Sequence, residues 1–245
     1  MNRTVKQILL LSVACICCGA VVLGGIWCST QSDSSPCTEV CIVIEDSLER
    51  QFVDVNELEN YLKRHLVYPL GQTIEQIDCH AVELCLQGHD MVRKAECYPS
   101  PFGCVHIRVM QRVPVLSVIS DNGCYYVDSD RRIMPVREQI DVDVPVFKGA
   151  VNQRAAIEEY FEFAEWLKNN RYWGERICSI SIETPKYLIL SQEGESAKII
   201  LGELNGYSEK LNKLQQLYTK GFEKIGYPDV REYDLRFAGQ VVSRK

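Results

Sequence analysis

MVRKAECYPSPFGCVHIRVMQRVP, residues 91–114, reads as two strands folded back on one another. Met91 to Tyr98 gives the first. In the second, Val105, Ile107 and Val109 alternate with His106, Arg108 and Met110, the period-two pattern of a strand with one buried face. Pro99, Pro101 and Gly103 punctuate the hairpin connection. Pro114 closes the pair, because proline cannot donate to a sheet ladder and so marks a break or an edge.

Toward the N-terminus, two helices precede this hairpin. Asp54 caps the first, with Glu57 three residues on to complete a capping box. Val55, Leu58, Leu62 and Leu66 give that helix one apolar face, and Tyr68-Pro69-Leu70-Gly71 ends it. The second begins at Asp78, buries Ala81, Leu84 and Cys85, and stops at Gly88. Before both, Cys37 to Ile44 is a β-branched strand. The order strand, helix, helix, strand, strand within about 75 residues implies an α+β layer with its helices on one sheet face.

Toward the C-terminus, Val115 to Ile119 is a further strand, and Asp121-Asn122-Gly123 turns it into Cys124 to Asp128. Ile133-Met134-Pro135 and Val144 to Gly149 are short extended pieces. A single amphipathic helix over about 153–169 buries Ile157, Tyr160, Phe161, Ala164 and Leu167. Three strands, Ile177 to Ile182, Tyr187 to Leu190 and Ala197 to Leu201, follow as an antiparallel meander. A last helix near Ser208 to Lys220 buries Leu211, Leu214, Leu217 and Tyr218. The chain closes with one strand over 231–244, where Tyr233, Leu235 and Phe237 alternate with Asp234 and Arg236. This half is a mixed α/β domain with an antiparallel β-sheet. Its residues leave open whether the last strand is interior or a free edge that accepts a partner strand.

Ile8 to Trp27 is twenty residues without a charge or a proline, preceded by Arg3 and Lys6. At about 1.5 Å per residue it spans roughly 30 Å, the thickness of a bilayer's hydrocarbon core. Ile26 and Trp27 stand where a signal peptidase needs small residues, so the run reads as an uncleaved anchor, with Trp27 at the outer interface. The expected organisation is a cytoplasmic tail over 1–7, a transmembrane helix over 8–28 and a linker over 29–36. An α+β domain over 37–118 and a second domain over 119–245 then lie across the membrane.

The net charge is −6 with both signs interspersed, which excludes the basic stripe of a nucleic-acid binder. Eight cysteines lie beyond the anchor; Cys97 and Cys104 flank the hairpin turn and form the most local candidate disulfide. Cys79, His80, Cys85 and His89 have intervals that match no common zinc pattern, so no metal site is expected. Glycine-rich phosphate loops, nucleophile elbows and metalloprotease motifs are absent from the sequence. The chain is read as non-enzymatic, without a cofactor or small-molecule substrate.

The chain resembles the bacterial cell-division family FtsQ/DivIB. The resemblance rests on the short basic tail and single span, and on the strand-helix-helix-strand-strand unit, which looks like a POTRA domain. Gln111-Arg112-Val113-Pro114 resembles that domain's exit motif, and Tyr126-Val127-Asp128 an aromatic-x-Asp strand. Val144-Pro145-Val146-Phe147-Lys148-Gly149, Glu209-Lys210-Leu211 and Asp234-Leu235-Arg236-Phe237 are similar to further family elements. The resemblance implies a scaffold at the division septum, held in the inner membrane with its bulk in the periplasm, linking early and late division proteins. It implies FtsB-like and FtsL-like partners, the former adding a strand to the terminal strand, with Tyr233, Leu235, Arg236, Phe237, Ala238 and Gly239 at the contact. Phe237 stands where tyrosine is frequent, and Arg236 is expected to meet an acidic partner. Two rival readings are another POTRA-bearing envelope protein, acting in assembly or secretion, and an exported thiol or metal enzyme.

Overall fold

Residues 35–45, 52–100, 102–137, 142–184, 186–222, 230–237 and 239–245 are described by the computed structural model. The expected anchor, with Ile8 and Trp27, and the tail before it lie outside those residues, as do linker positions 29–34. No helix of the described residues is long and apolar enough to cross a membrane. The chain divides into two units between Gln111 and Arg112.

In the first unit, β1 (Glu39–Ile44), α1 (Val55–Arg64), a 3-10 turn (Ile74–Gln76), α2 (Cys79–Gln87), β2 (Val92–Pro99) and β3 (Cys104–Gln111) follow the expected order. The sheet order is β1-β3-β2, with β1 parallel and β2 antiparallel to β3. Val40, Ile42 and Ile44 pair with Val105, Ile107 and Val109, and the β3 valines and isoleucine are fully buried. Asp54 accepts from the Glu57 N–H at 2.8 Å, the cap read from sequence. Leu58 and Leu62 enter the core, whereas Leu66 sits beyond the helix end at φ +59° and is exposed. α2 is rotated from the expected phase: Val82 and Leu86 are buried and Leu84 faces solvent. The Gln111 side chain accepts from the Phe52 and Val53 N–H groups at 2.7 and 3.1 Å, fixing the approach to α1.

The second unit runs β4 (Pro114–Ser120), β5 (Gly123–Asp128), β6 (Ile133–Pro135), β7 (Val146–Gly149), α3 (Gln153–Ile157), α4 (Glu159–Asn169), β8 (Ile177–Thr184), β9 (Tyr187–Gln192), β10 (Lys198–Gly202), α5 (Tyr207–Gln216), a π turn (Leu217–Gly221), β11 (Glu232–Asp234) and β12 (Val242–Arg244). β4 belongs wholly to this unit, so the boundary drawn at 118/119 falls inside a strand and the break lies at 111/112.

Among the described residues, nine strands form one sheet in the order β12-β11-β10-β9-β8-β7-β4-β5-β6. The expected antiparallel sheet is corrected to a mixed one: β4–β7, β7–β8 and β10–β11 are parallel. Parallel neighbours need a crossover rather than a hairpin. The segment with α3 and α4 supplies it between β7 and β8, and the one with α5 supplies it between β10 and β11. The meander β8-β9-β10 is antiparallel, as read from sequence. The single helix expected over 153–169 is broken at Glu158, whose ψ of −93° interrupts the ladder. Phe161, Phe163, Ala164, Leu167, Leu211 and Leu214 join the strand side chains in one core.

Two of the motif elements acquire physical reasons here. Arg112 and Asp128 are a buried ion pair, 5% and 0% exposed, and Asp128 also accepts from the Asp130 and Arg132 N–H groups at 2.9 and 2.7 Å. This joins the start of β4 to the turn after β5. Gly149 ends β7 at φ +100°, and a Cβ there would stand 2.5 Å from the Ile182 carbonyl oxygen. Only glycine allows both the angle and the approach.

Candidate functional site at the terminal sheet edge

The last run of the sequence is a hairpin of two short strands, not one strand. Gly239 at φ +79° and a Gln240 N–H to Phe237 carbonyl bond reverse the chain between them. β11 therefore lies inside the sheet: Tyr233 pairs with Ile199 of β10 on one side and with Ser243 of β12 on the other. The open edge expected along Tyr233 and Leu235 is covered by the chain's own end. β12 is the outermost strand, and among the described residues nothing pairs with its outer side.

Tyr233 and Leu235 are 4% and 2% exposed and point into the core. The Tyr233 ring meets Tyr218 edge-on at 5.3 Å and lies 6.3 Å from Phe222. They anchor the hairpin on the helical layer.

Arg236 is likewise engaged. Its Nε and Nη2 donate to the two Asp234 carboxylate oxygens at 2.9 and 2.7 Å, and its backbone N–H donates to the same carboxylate at 3.1 Å. Its guanidinium also sits 5.1 Å from the centre of the Tyr187 ring. Asp234 is fully buried, and these hydrogen bonds from Arg236 hold its carboxyl below the ordinary value against the opposing effect of burial. Gly202, at φ +73°, leaves room for this side chain: a Cβ there would lie 2.7 Å from Arg236 Cγ. At the far strand, Arg244 Nη1 donates to Glu232 at 2.8 Å and Nη2 lies 3.7 Å from Asp234.

Phe237 differs from its neighbours. It is half exposed at the turn of the hairpin and lies outside the core cluster. Gly239 is exposed beside it; Ala238 lies outside the described residues. Between this turn and α5 runs a groove of about 230 Å³ whose lining includes Glu209, Lys210, Lys213, Arg236, Phe237 and Gln240. Lys210 Nζ donates to the Leu201 and Glu203 carbonyls at 3.2 and 2.7 Å, and Leu211 is fully buried, so the Glu209-Lys210-Leu211 element ties α5 to the end of β10. Lys213 and Lys220 remain exposed along the same helix and its π turn.

In the first unit the structure separates the residues paired from sequence. Cys97 points inward with Ala95, while Cys104 points to the opposite face with His106, and both are free thiols. The Cys97–Cys104 disulfide is therefore not formed, because the hairpin register puts Cys97 opposite Ile107. The Cys79, His80, Cys85 and His89 set is not drawn together as ligands either. His89 is buried, accepts from the Met91 N–H at 3.2 Å and lies 3.4 Å from Glu57. Among the described residues, the metal-ligating atoms that converge are those of Cys41, Cys104 and His106.

Sequence reading missed β12 and this cluster. The signal for the first was Gly239 inside the final run, a turn residue that divides a strand in two. The signal for the second was Cys104-Val105-His106, an alternation that puts both side chains on one strand face.

Comparison with known families places a POTRA-like domain over residues 35–110. A second family model, described as FtsQ/DivIB, C-terminal related, matches residues 113–244, more than half of the chain. The two matches meet where the structure itself divides. A comparison with curated proteins gives no match. With its POTRA-like domain followed by this sheet, the chain belongs to the FtsQ/DivIB C-terminal related family.

Proposed function

We propose that this chain is a non-enzymatic scaffold of the bacterial cell-division machinery, tethered in the inner membrane by residues 8–28 and working at the septum. It captures an FtsB-like protein, together with its FtsL-like companion, by adding a strand to the outer edge of β12. One observation carries this reading: among the described residues nothing pairs with the outer side of β12, which lies beside a half-exposed aromatic, Phe237, and a groove lined by Lys213 and Glu209.

The physical logic is direct. An edge strand presents a row of backbone donors and acceptors that a second extended segment satisfies, while alternate side chains and flanking pockets give selectivity. Phe237 supplies an anchor. The selective charges are Lys213 and Lys220 rather than Arg236, which is held by Asp234, so the partner segment entering the groove carries acidic residues.

The test is site-specific photo-crosslinking in cells. A crosslinker at Ser243 on β12 traps the FtsB-like partner, and one at Ile133 on β6, the opposite edge of the same sheet, does not. Trapping from Ile133 alone, or capture undiminished by Phe237→Glu, overturns the docking site. Septal localisation of a fluorescent fusion, and filamentation on depletion, test the cellular role.

A further inference from the structure

The outer face of the three-stranded sheet in the first unit brings two thiols and an imidazole together. Cys41 lies directly opposite His106 across the parallel β1–β3 pair, and Cys104 lies two residues before His106 on the same strand face. One ligand atom from each of Cys41, Cys104 and His106 lies within 4.8 Å of the other two. All three residues are half-buried, so an ion can reach them from solvent. Tyr98 stacks on the His106 ring at 5.4 Å between centres, which restricts how that ring turns. Glu39 stands opposite Cys104 in the same register.

We propose that Cys41, Cys104 and His106 bind a single zinc ion. Two thiolates and an imidazole are the donor set that Zn²⁺ favours, and three protein ligands leave a fourth position for water or the Glu39 carboxylate. The two sulfurs are 3.3 Å apart. Tetrahedral zinc with bonds of about 2.3 Å holds two thiolates about 3.8 Å apart, so rotamer adjustments of about half an ångström suffice. A disulfide requires about 2.05 Å, a closure of more than an ångström, and gives His106 no part. On binding, each thiol releases its proton to solvent and the imidazole coordinates in its neutral form. The ion clips the first strand of the unit to its last.

The experiment uses the full chain in detergent, stripped of metal and kept reduced with a phosphine. It is titrated with Cd²⁺, which reports thiolate ligation through its charge-transfer absorption, and Zn²⁺ is then added in competition. The expected result is saturation at one equivalent, with Zn²⁺ displacing the probe. Cys41→Ser and Cys104→Ser each abolish the band, His106→Ala weakens binding by at least ~10-fold, and Cys178→Ser leaves it unchanged. In the unaltered chain, Zn²⁺ protects Cys41 and Cys104 from alkylation but not Cys178, a readout that needs no variant to fold. The site is overturned by absence of a saturable band, by a band that survives loss of both cysteines, or by a Cys41–Cys104 disulfide in protein trapped with alkylating agent at cell lysis.

Discussion

Truncating Phe237 to alanine separates the proposed docking role of the terminal hairpin from its folding role. The residue is 50% exposed. An aromatic side chain presents about 200 Å², so about 100 Å² remains for a partner to cover. At about 25 cal/mol per Å² that contact is worth ~2.5 kcal/mol, or ~70-fold in affinity. Phe237→Ala is therefore expected to weaken capture of the FtsB-like segment by that order while lowering the melting temperature far less than loss of a core ring, since Phe237 lies outside the core cluster. Calorimetric titration of the periplasmic segment of the partner into the full chain measures the first quantity, and thermal melting by circular dichroism the second. Tyr233→Ala is the counterpart: its ring is buried against Tyr218, and its loss costs about 3–5 kcal/mol of stability. A Phe237→Ala affinity within about threefold of the parent, or a Phe237→Ala melt lowered like that of Tyr233→Ala, refutes the division of labour.

Asp128→Asn leaves the buried Arg112 guanidinium without its carboxylate, with Asp130 only at 3.9 Å; destabilisation of the second unit by ~3 kcal/mol is expected in denaturant titration. Gly149→Ala forces a left-handed angle on a side chain and a clash with the Ile182 carbonyl, and should cost at least ~2 kcal/mol in the same assay. Asp234 has a folded-state value lowered by Arg236, so its contribution is fully present above the ordinary carboxylate range and is lost as the pH falls through the lowered value. Melting temperatures measured from neutral to acidic pH should drop through that window, and Asp234→Asn should flatten the drop.

The first unit was legible because each signal there is local. Asp54 and Glu57 mark a cap, and Val105, Ile107 and Val109 mark a buried face; both stand as read. The phase of α2 was not legible, because Leu84 and Val82 are equally apolar and only the position of β2 decides which one is covered. Strand direction in the second unit was hidden for a similar reason. β7 is four residues long, and nothing within Val146–Gly149 states that its neighbours are β4 and β8, both parallel to it. Gly149 carried the clue, since the close approach of the Ile182 carbonyl that requires a glycine exists only once β8 lies alongside.

The displacement of the edge from β11 to β12 has a physical cause that also sharpens the docking argument. A strand bearing Tyr233, Asp234 and Leu235 has too much to bury to remain outermost: two side chains enter the core and a third is a carboxylate that needs Arg236 beside it. Val242-Ser243-Arg244 has no such demand. Ser243 and Arg244 are exposed, and Arg244 adds an ion pair to Glu232 that fastens the strand without burying it. A short polar edge is the form in which soluble proteins keep a sheet terminus from pairing indiscriminately. Selectivity must then come from what flanks the edge rather than from the edge itself. Under the proposed docking on β12, Phe237 at the hairpin turn and Lys213 in the adjoining groove are the flanking groups a partner strand has to match.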